Sequence, residues 1–186
     1  MAPHALIGKQ APEISLLDQN GEKVTIQPGS TGTPLAIFFY PASGHSACTK
    51  EACGFRDALK TEVFQRSSIS IVGISGDAVS KQKEFVDQNG LPYPILSDAR
   101  HAARKAYHVK KGHMGFTEGR VTYFIDSRGI VKDVTNSISN FKEHIEFVRK
   151  RLETEGKGKA KAEPQDSEET TPASSFSDSD MEENST

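Results

Sequence analysis

The chain contains two cysteines, Cys48 and Cys53, and both fall where an apolar run passes through a short loop into the start of a helix. A helix N-terminus presents unpaired backbone N–H groups and roughly half a positive charge, so a thiol placed there ionises readily. The thiolate, not the thiol, is the nucleophile. His45 lies three residues before Cys48 and adds a group that can accept a proton or carry a charge near neutral pH. The chemistry these residue types suggest is nucleophilic attack by sulfur.

The spacing of the two thiols carries a second implication. Residues five apart on one intact helix have Cα atoms about 8 to 9 Å apart, beyond the roughly 7 Å that a disulfide spans. A Cys48–Cys53 bond therefore requires the first helical turn to unwind. The pair reads as a two-state device, helical with free thiols and locally unfolded when oxidised. Two structural cysteines, one of them buried as a small hydrophobe, are the alternative reading. A metal site built from His45, Cys48 and Cys53, with His101, His108 or His113 as a fourth ligand, matches no common zinc spacing. No metal or other cofactor is expected.

Leu35–Tyr40 is a continuous apolar run, as expected of a central strand covered on both faces, and Pro41 ends it because it cannot donate to a ladder. Ser70–Ser75 reads as a second buried strand, with shorter strands at Ile14–Leu17, Val24–Ile26, Val121–Ile125 and Ile130–Thr135, and Tyr93–Leu96 is a short segment before Ser97-Asp98, which can cap the helix that follows. The Asn20-Gly21 pair marks a hairpin turn. Helices are expected over Cys48 to about Val63, Val79–Gln88 and Ala102–Tyr107, and from a Ser139 cap through an apolar stripe of Phe141, Ile145, Val148 and Leu152. Strands alternating with helices give an α/β class, a central mixed sheet flanked by helices in a thioredoxin-like fold.

Charge divides the 186 residues in two. Residues 155–186 hold 3 Lys against 9 Asp plus Glu, net −6, leaving 20 Lys plus Arg against 16 Asp plus Glu, net +4, for residues 1–154. The tail has almost no large apolar residues and cannot offset the entropy of ordering. The expected organisation is one domain, 1–154, followed by a disordered acidic tail, 155–186. The body's excess charge is too small to argue for nucleic acid. No apolar run is long enough for a membrane span, and the first residues lack a secretory pattern. Two cysteines suit a reducing compartment in which a catalytic pair is recycled. Arg149-Lys150-Arg151, with Lys157, Lys159 and Lys161, has the look of a nuclear import signal, so cytoplasm or nucleus is the expected location. Ser175, Ser177 and Ser179 each precede an acidic residue by three positions, as in acidophilic kinase sites.

The run Phe39-Tyr40-Pro41 through Cys48-Thr49-Lys50-Glu51-Ala52-Cys53-Gly54-Phe55-Arg56-Asp57 resembles the peroxiredoxins, specifically the peroxiredoxin Q or bacterioferritin comigratory protein class. Gly8-Lys9-Gln10-Ala11-Pro12, Val72-Gly73-Ile74-Ser75, Leu91-Pro92-Tyr93-Pro94 and Arg120-Val121-Thr122-Tyr123-Phe124-Ile125-Asp126 extend the resemblance over about residues 5–152. It implies a thiol peroxidase that reduces hydrogen peroxide and organic hydroperoxides, recycled by thioredoxin and commonly monomeric. By position, Cys48 resembles the peroxidatic cysteine and Cys53 the resolving one that closes a Cys48–Cys53 disulfide. Arg120 resembles the arginine that holds thiolate and peroxide, Pro41 the proline that shields the sulfur, and Glu51 an acidic residue that orients the arginine. One position departs: His45 stands where the family keeps Thr or Ser. It reads either as a donor to the peroxide or as a loop histidine facing solvent. A redox sensor that uses the same Cys48–Cys53 switch with little turnover is the alternative function.

Overall fold

The computed structural model describes residues 3–112, 118–137 and 140–160. Its centre is a seven-stranded sheet in the order β2-β1-β5-β4-β3-β6-β7. The strands are β1 (Ile14–Asp18), β2 (Lys23–Ile26), β3 (Leu35–Phe39), β4 (Ser70–Ser75), β5 (Ile95–Ser97), β6 (Val121–Ile125) and β7 (Val131–Thr135). β3, β4 and β5 pair in parallel, while β1 and β6 join them antiparallel, so the sheet is mixed. The helices are α1 (Ser46–Ala58), α2 (Glu62–Ser67), α3 (Val79–Asn89), α4 (Ala102–Ala106) and α5 (Phe141–Ala160).

The unbroken apolar run of β3 is explained by a core on each face. Ala36, Phe38 and Tyr40 pack with Phe55 of α1, Phe64 of α2, Phe85 of α3 and Val148 and Leu152 of α5. Leu35, Ile37 and Phe39 pack on the other face with Ala103 of α4, Tyr107 and Leu6. A strand of alternating side chains with both faces covered has no polar position to offer. Gly73 of β4 lies where these layers close: a Cβ there would meet Ile95 Cδ1 at 2.5 Å and Phe38 Cζ at 2.6 Å.

The local signals act largely as the sequence indicates. Gly21 adopts φ 82° in the β1–β2 turn, and the Asp18 carboxylate accepts from the backbone N–H groups of Asn20 and Glu22. Gly90, in the left-handed region, caps α3. Asp98 caps α4 with both oxygens, accepting from the N–H groups of Ala103 and Arg104 at 3.1 and 2.9 Å.

The expected single helix from Cys48 to Val63 is two. α1 starts two residues earlier, at Ser46, and ends at Ala58; Thr61 is extended, donates its hydroxyl to the Ala58 carbonyl at 2.7 Å and starts α2. The break turns Phe64 into the core. α5 runs on to Ala160. Ser139, the expected cap of that helix, and the serines of the acidic tail lie outside the described residues. Among the described residues no helix is long and apolar enough to cross a membrane.

Candidate active site

Tyr40 is fully buried just past the end of β3, and its hydroxyl shares a hydrogen bond with Ser43 Oγ at 3.0 Å. The Ser43 backbone N–H donates to Asp77 Oδ2 at 2.6 Å, so the loop from Pro41 to His45 is pinned at its middle. His45 is the N-cap residue of α1, with no side-chain cap bond, and its carbonyl accepts from the Thr49 N–H at 2.9 Å. Cys48 is therefore the third residue of the helix, inside the turn whose N–H groups have no intrahelical acceptor. Its side chain is fully buried.

Arg120 reaches this sulfur from a distant part of the chain. β6 runs antiparallel to β3 with Val121 opposite Phe39, so Arg120 enters beside Tyr40. Phe124 packs with α1 and α5, and side chains alternate along a strand, so Thr122 and Arg120 point to the same face. Arg120 Nη2 donates to Cys48 Sγ at 3.3 Å, and Nη1 donates to Glu51 Oε2. A permanently charged, planar donor fork is suited to hold two anions at once. Arg120 and Glu51 are both nearly or wholly buried. Burial pushes the Glu51 carboxyl up to about 7 against the pull of Arg120.

His45 Nδ1 lies 3.8 Å from Cys48 Sγ, so this exposed imidazole has one edge against the sulfur. Pro41 heads the pinned loop and is half-buried. Cys53 is not brought to Cys48: both are free thiols, and Cys53 Sγ donates to Asn89 Oδ1 of α3 at 3.6 Å. The site residues Cys48, His45, Glu51 and Arg120 form one cluster, with Cys53 turned to a neighbouring surface. Among the described residues no three His, Cys, Asp or Glu side chains group as a metal site.

Two buried residues of this region carry no motif signal. Arg104 of α4 donates through Nη2 to the Tyr40 carbonyl at 2.6 Å and through Nη1 to the Gly119 carbonyl at 3.1 Å. It thus staples the strand end that leads to Cys48 to the one that leads to Arg120. His144 of α5 is fully buried, with Nδ1 at 2.8 Å from Thr122 Oγ1 and 3.5 Å from Glu51 Oε1. The signal for His144 was its spacing, four and eight residues before the buried Val148 and Leu152.

The mixed sheet flanked by helices is the thioredoxin-like fold of peroxiredoxins of known structure. The sequence profile of the AhpC/TSA family matches residues 7–134, and the chain belongs to that family. It is 37% identical over 147 residues to chloroplastic peroxiredoxin Q of Suaeda salsa, covering 79% of this chain and 67% of that one. It is 36% identical to chloroplastic peroxiredoxin Q of Sedum lineare, covering 79% and 77%. The peroxidoxin BcpB of Mycobacterium tuberculosis superposes with a TM-score of 0.71 at 35% identity, over 81% of this chain and 98% of that one. The class is peroxiredoxin Q, and the activity is that of a thiol peroxidase.

The expected cytoplasmic or nuclear location is corrected by these relatives, which are named chloroplastic. The expectation leaned on Arg149-Lys150-Arg151, but two of those side chains have structural partners. Arg149 pairs with Glu146 and Glu153 along α5, and Arg151 pairs with Asp133 of β7.

Proposed function

We propose that Cys48 is the residue that reduces the hydroperoxide and that Cys53 resolves the product. The observation that carries this reading is the 3.3 Å contact from Arg120 Nη2 to a buried sulfur in the first turn of α1. The Cys48 thiolate attacks the terminal oxygen of ROOH, the S–O bond forms as the O–O bond breaks, and the alkoxide leaves to take a proton from water. Charge moves from sulfur to the leaving oxygen, and a guanidinium beside both is placed to stabilise it throughout. Glu51 fixes one arm of the fork so that the other stays on the sulfur. Pro41 and the pinned loop limit the approach of water, and His45 offers a ring nitrogen where the family has a hydroxyl.

The sulfenic acid of Cys48 is then attacked by the Cys53 thiolate, which forms the disulfide and releases hydroxide, neutralised to water. Both cysteines sit on the continuous helix α1, so this step needs its first turns to unwind. A thioredoxin-type dithiol reduces the bond through a mixed disulfide and returns both thiols. Both cysteines and the arginine lie in one chain, which supports a functional monomer. Steady-state consumption of hydrogen peroxide with thioredoxin and its reductase tests the proposal. Cys48→Ser abolishes turnover, and Cys53→Ser retains one rapid oxidation at Cys48 but does not cycle. Stoichiometric oxidation of the wild-type chain without turnover overturns the cycle and leaves only a redox switch.

A further inference from the structure

Glu51 uses one carboxylate oxygen on Arg120, and its other oxygen, Oε1, is buried with no hydrogen-bond partner among the described residues. A buried acceptor left in this state is costly. His144 Nδ1 lies 3.5 Å from Oε1. The ring is held at two other points. Its Nε2 lies 2.8 Å from the Ser137 carbonyl, which can only accept, so Nε2 carries a proton. Its Nδ1 lies 2.8 Å from the Thr122 hydroxyl, which can donate or accept. The imidazole therefore has a fixed plane and an adaptable edge, and that edge is turned to Glu51.

The backbone is built for this approach. Gly54 lies three residues after Glu51 on the same helix, and a Cβ there would meet Ile145 Cδ1 at 3.0 Å. The absent side chain lets α5 close on α1 at the level of His144. Thr122 stands two residues from Arg120 on the same face of β6, so the ring is braced by the strand that delivers the arginine.

We propose that His144 is a positioning residue for the Cys48 site, holding the far oxygen of Glu51 so that the near oxygen stays on Arg120 and Arg120 stays on the sulfur. The inference rests on the proposed role of Cys48. His144 serves either protonation state of the carboxyl: in the neutral ring the one Nδ1 lone pair is shared between the Thr122 hydroxyl at 2.8 Å and a protonated Oε1 at 3.5 Å, and an imidazolium donates to an ionised Oε1. The surroundings favour the first arrangement, because burial and the Arg120 charge push His144 down to about 4 while Glu51 is pushed up to about 7.

Other charged groups around the ring are accounted for. Arg120 stands behind Glu51, and Glu143 of α5 is the acidic neighbour on the same helix. Asp133 of β7 is engaged by Arg151, and Glu62 and Arg66 of α2 pair with each other at the surface. Glu51 is left as the partner through which the ring acts on the site.

The test is a double-mutant cycle on the full chain, read as the second-order rate of Cys48 oxidation by hydrogen peroxide in stopped flow. His144→Leu removes every polar atom and slows oxidation by about fivefold or more, in the range of couplings between contacting groups. His144→Gln, whose amide can donate to an ionised Oε1 or accept from a protonated one, stays within about twofold of wild type. In a Glu51→Gln background, His144→Leu has no further effect. A purely structural histidine gives an equal loss in both backgrounds, or equal losses for Leu and Gln, and either result overturns the inference. If the leucine variant does not fold, His144→Gln alone decides through the pH–rate profile. It must differ from wild type with Glu51 present and coincide with the single Glu51→Gln profile without it; a difference that persists refutes the proposal. Cys48→Ser is the control that separates the two levels. If oxidation survives it, the functional reading fails; if it does not and the cycle is additive, only the role of His144 fails.

Discussion

Glu51 and His144 are titratable groups buried side by side and shifted in opposite directions, and this makes a quantitative prediction about stability. Glu51 is pushed by burial from its ordinary 4.5 up to about 7. The folded state then holds a proton that the unfolded chain has released, so stability falls as pH rises from 4.5 through about 7. At about 1.4 kcal/mol per pH unit, the full effect is about 3 kcal/mol. His144 is pushed by burial, with the help of Arg120, from 6.5 down to about 4. Here the unfolded chain binds the extra proton, so stability is fully present above 6.5 and is lost as pH falls through 4, again by about 3 kcal/mol. Between pH 4.5 and 6.5 the two slopes cancel in the wild type. Glu51→Gln removes the falling slope and leaves the rising one; His144→Gln does the reverse. Urea unfolding of the reduced proteins at pH 4.5, 5.5 and 6.5 reads this as a difference from wild type, in which other groups drop out. The Glu51→Gln difference curve should rise by about 2–3 kcal/mol across that window, and the His144→Gln curve should fall by about as much. Two difference curves of the same sign, or two flat ones, would refute the reasoning.

Arg120→Lys keeps the charge but loses the fork, so one ammonium cannot hold Glu51 and the sulfur together; oxidation of Cys48 by peroxide should slow about 10- to 100-fold, the worth of one hydrogen bond to a charged group. An unchanged stopped-flow rate would remove Arg120 from the mechanism. His45→Thr should change the stopped-flow rate of Cys48 oxidation by peroxide by more than about twofold, because the ring edge it removes lies 3.8 Å from the sulfur. An unchanged rate would make His45 a bystander. Gly73→Ala forces a methyl group against Ile95 and Phe38, and thermal melting should show a loss of about 1–3 kcal/mol. A neutral result would mean that the two side chains give way freely.

The parts of this protein legible in its sequence are those with local causes. β3 is visible because both of its faces are buried, the β1–β2 turn because Asn20-Gly21 supplies the left-handed glycine, and Cys48 because the strand-to-helix passage is contiguous. The division of α1 from α2 has no such mark: Lys60 and Thr61 are ordinary residues, and the chain turns there because Phe64 gains a place in the core. Arg120 came from family resemblance, since pairing of β6 with β3 is a long-range fact that periodicity does not encode. Arg104 sits on a short helix whose pattern suggests solvent, yet it bonds two carbonyls from opposite strand ends. His144 is not marked by the sequence, because the apolar stripe through Phe141 and Ile145 lies slightly off the buried face of α5. The buried line is His144, Val148 and Leu152.

The site is assembled across long stretches of chain. Cys48 and its arginine are 72 residues apart in sequence, and Glu51 and Arg120 are 69 apart. A ribosome that has released only the first hundred residues has already delivered the thiols but not the guanidinium. Until β6 docks against β3, Cys48 has no cation beside it and reacts like an ordinary thiol. If Cys48 acts as proposed, fast reaction with peroxide is a mark of completed folding: a nascent or misfolded chain lacks the arginine beside its thiol, and the amplitude of the fast oxidation phase reports the fraction of molecules whose sheet has closed.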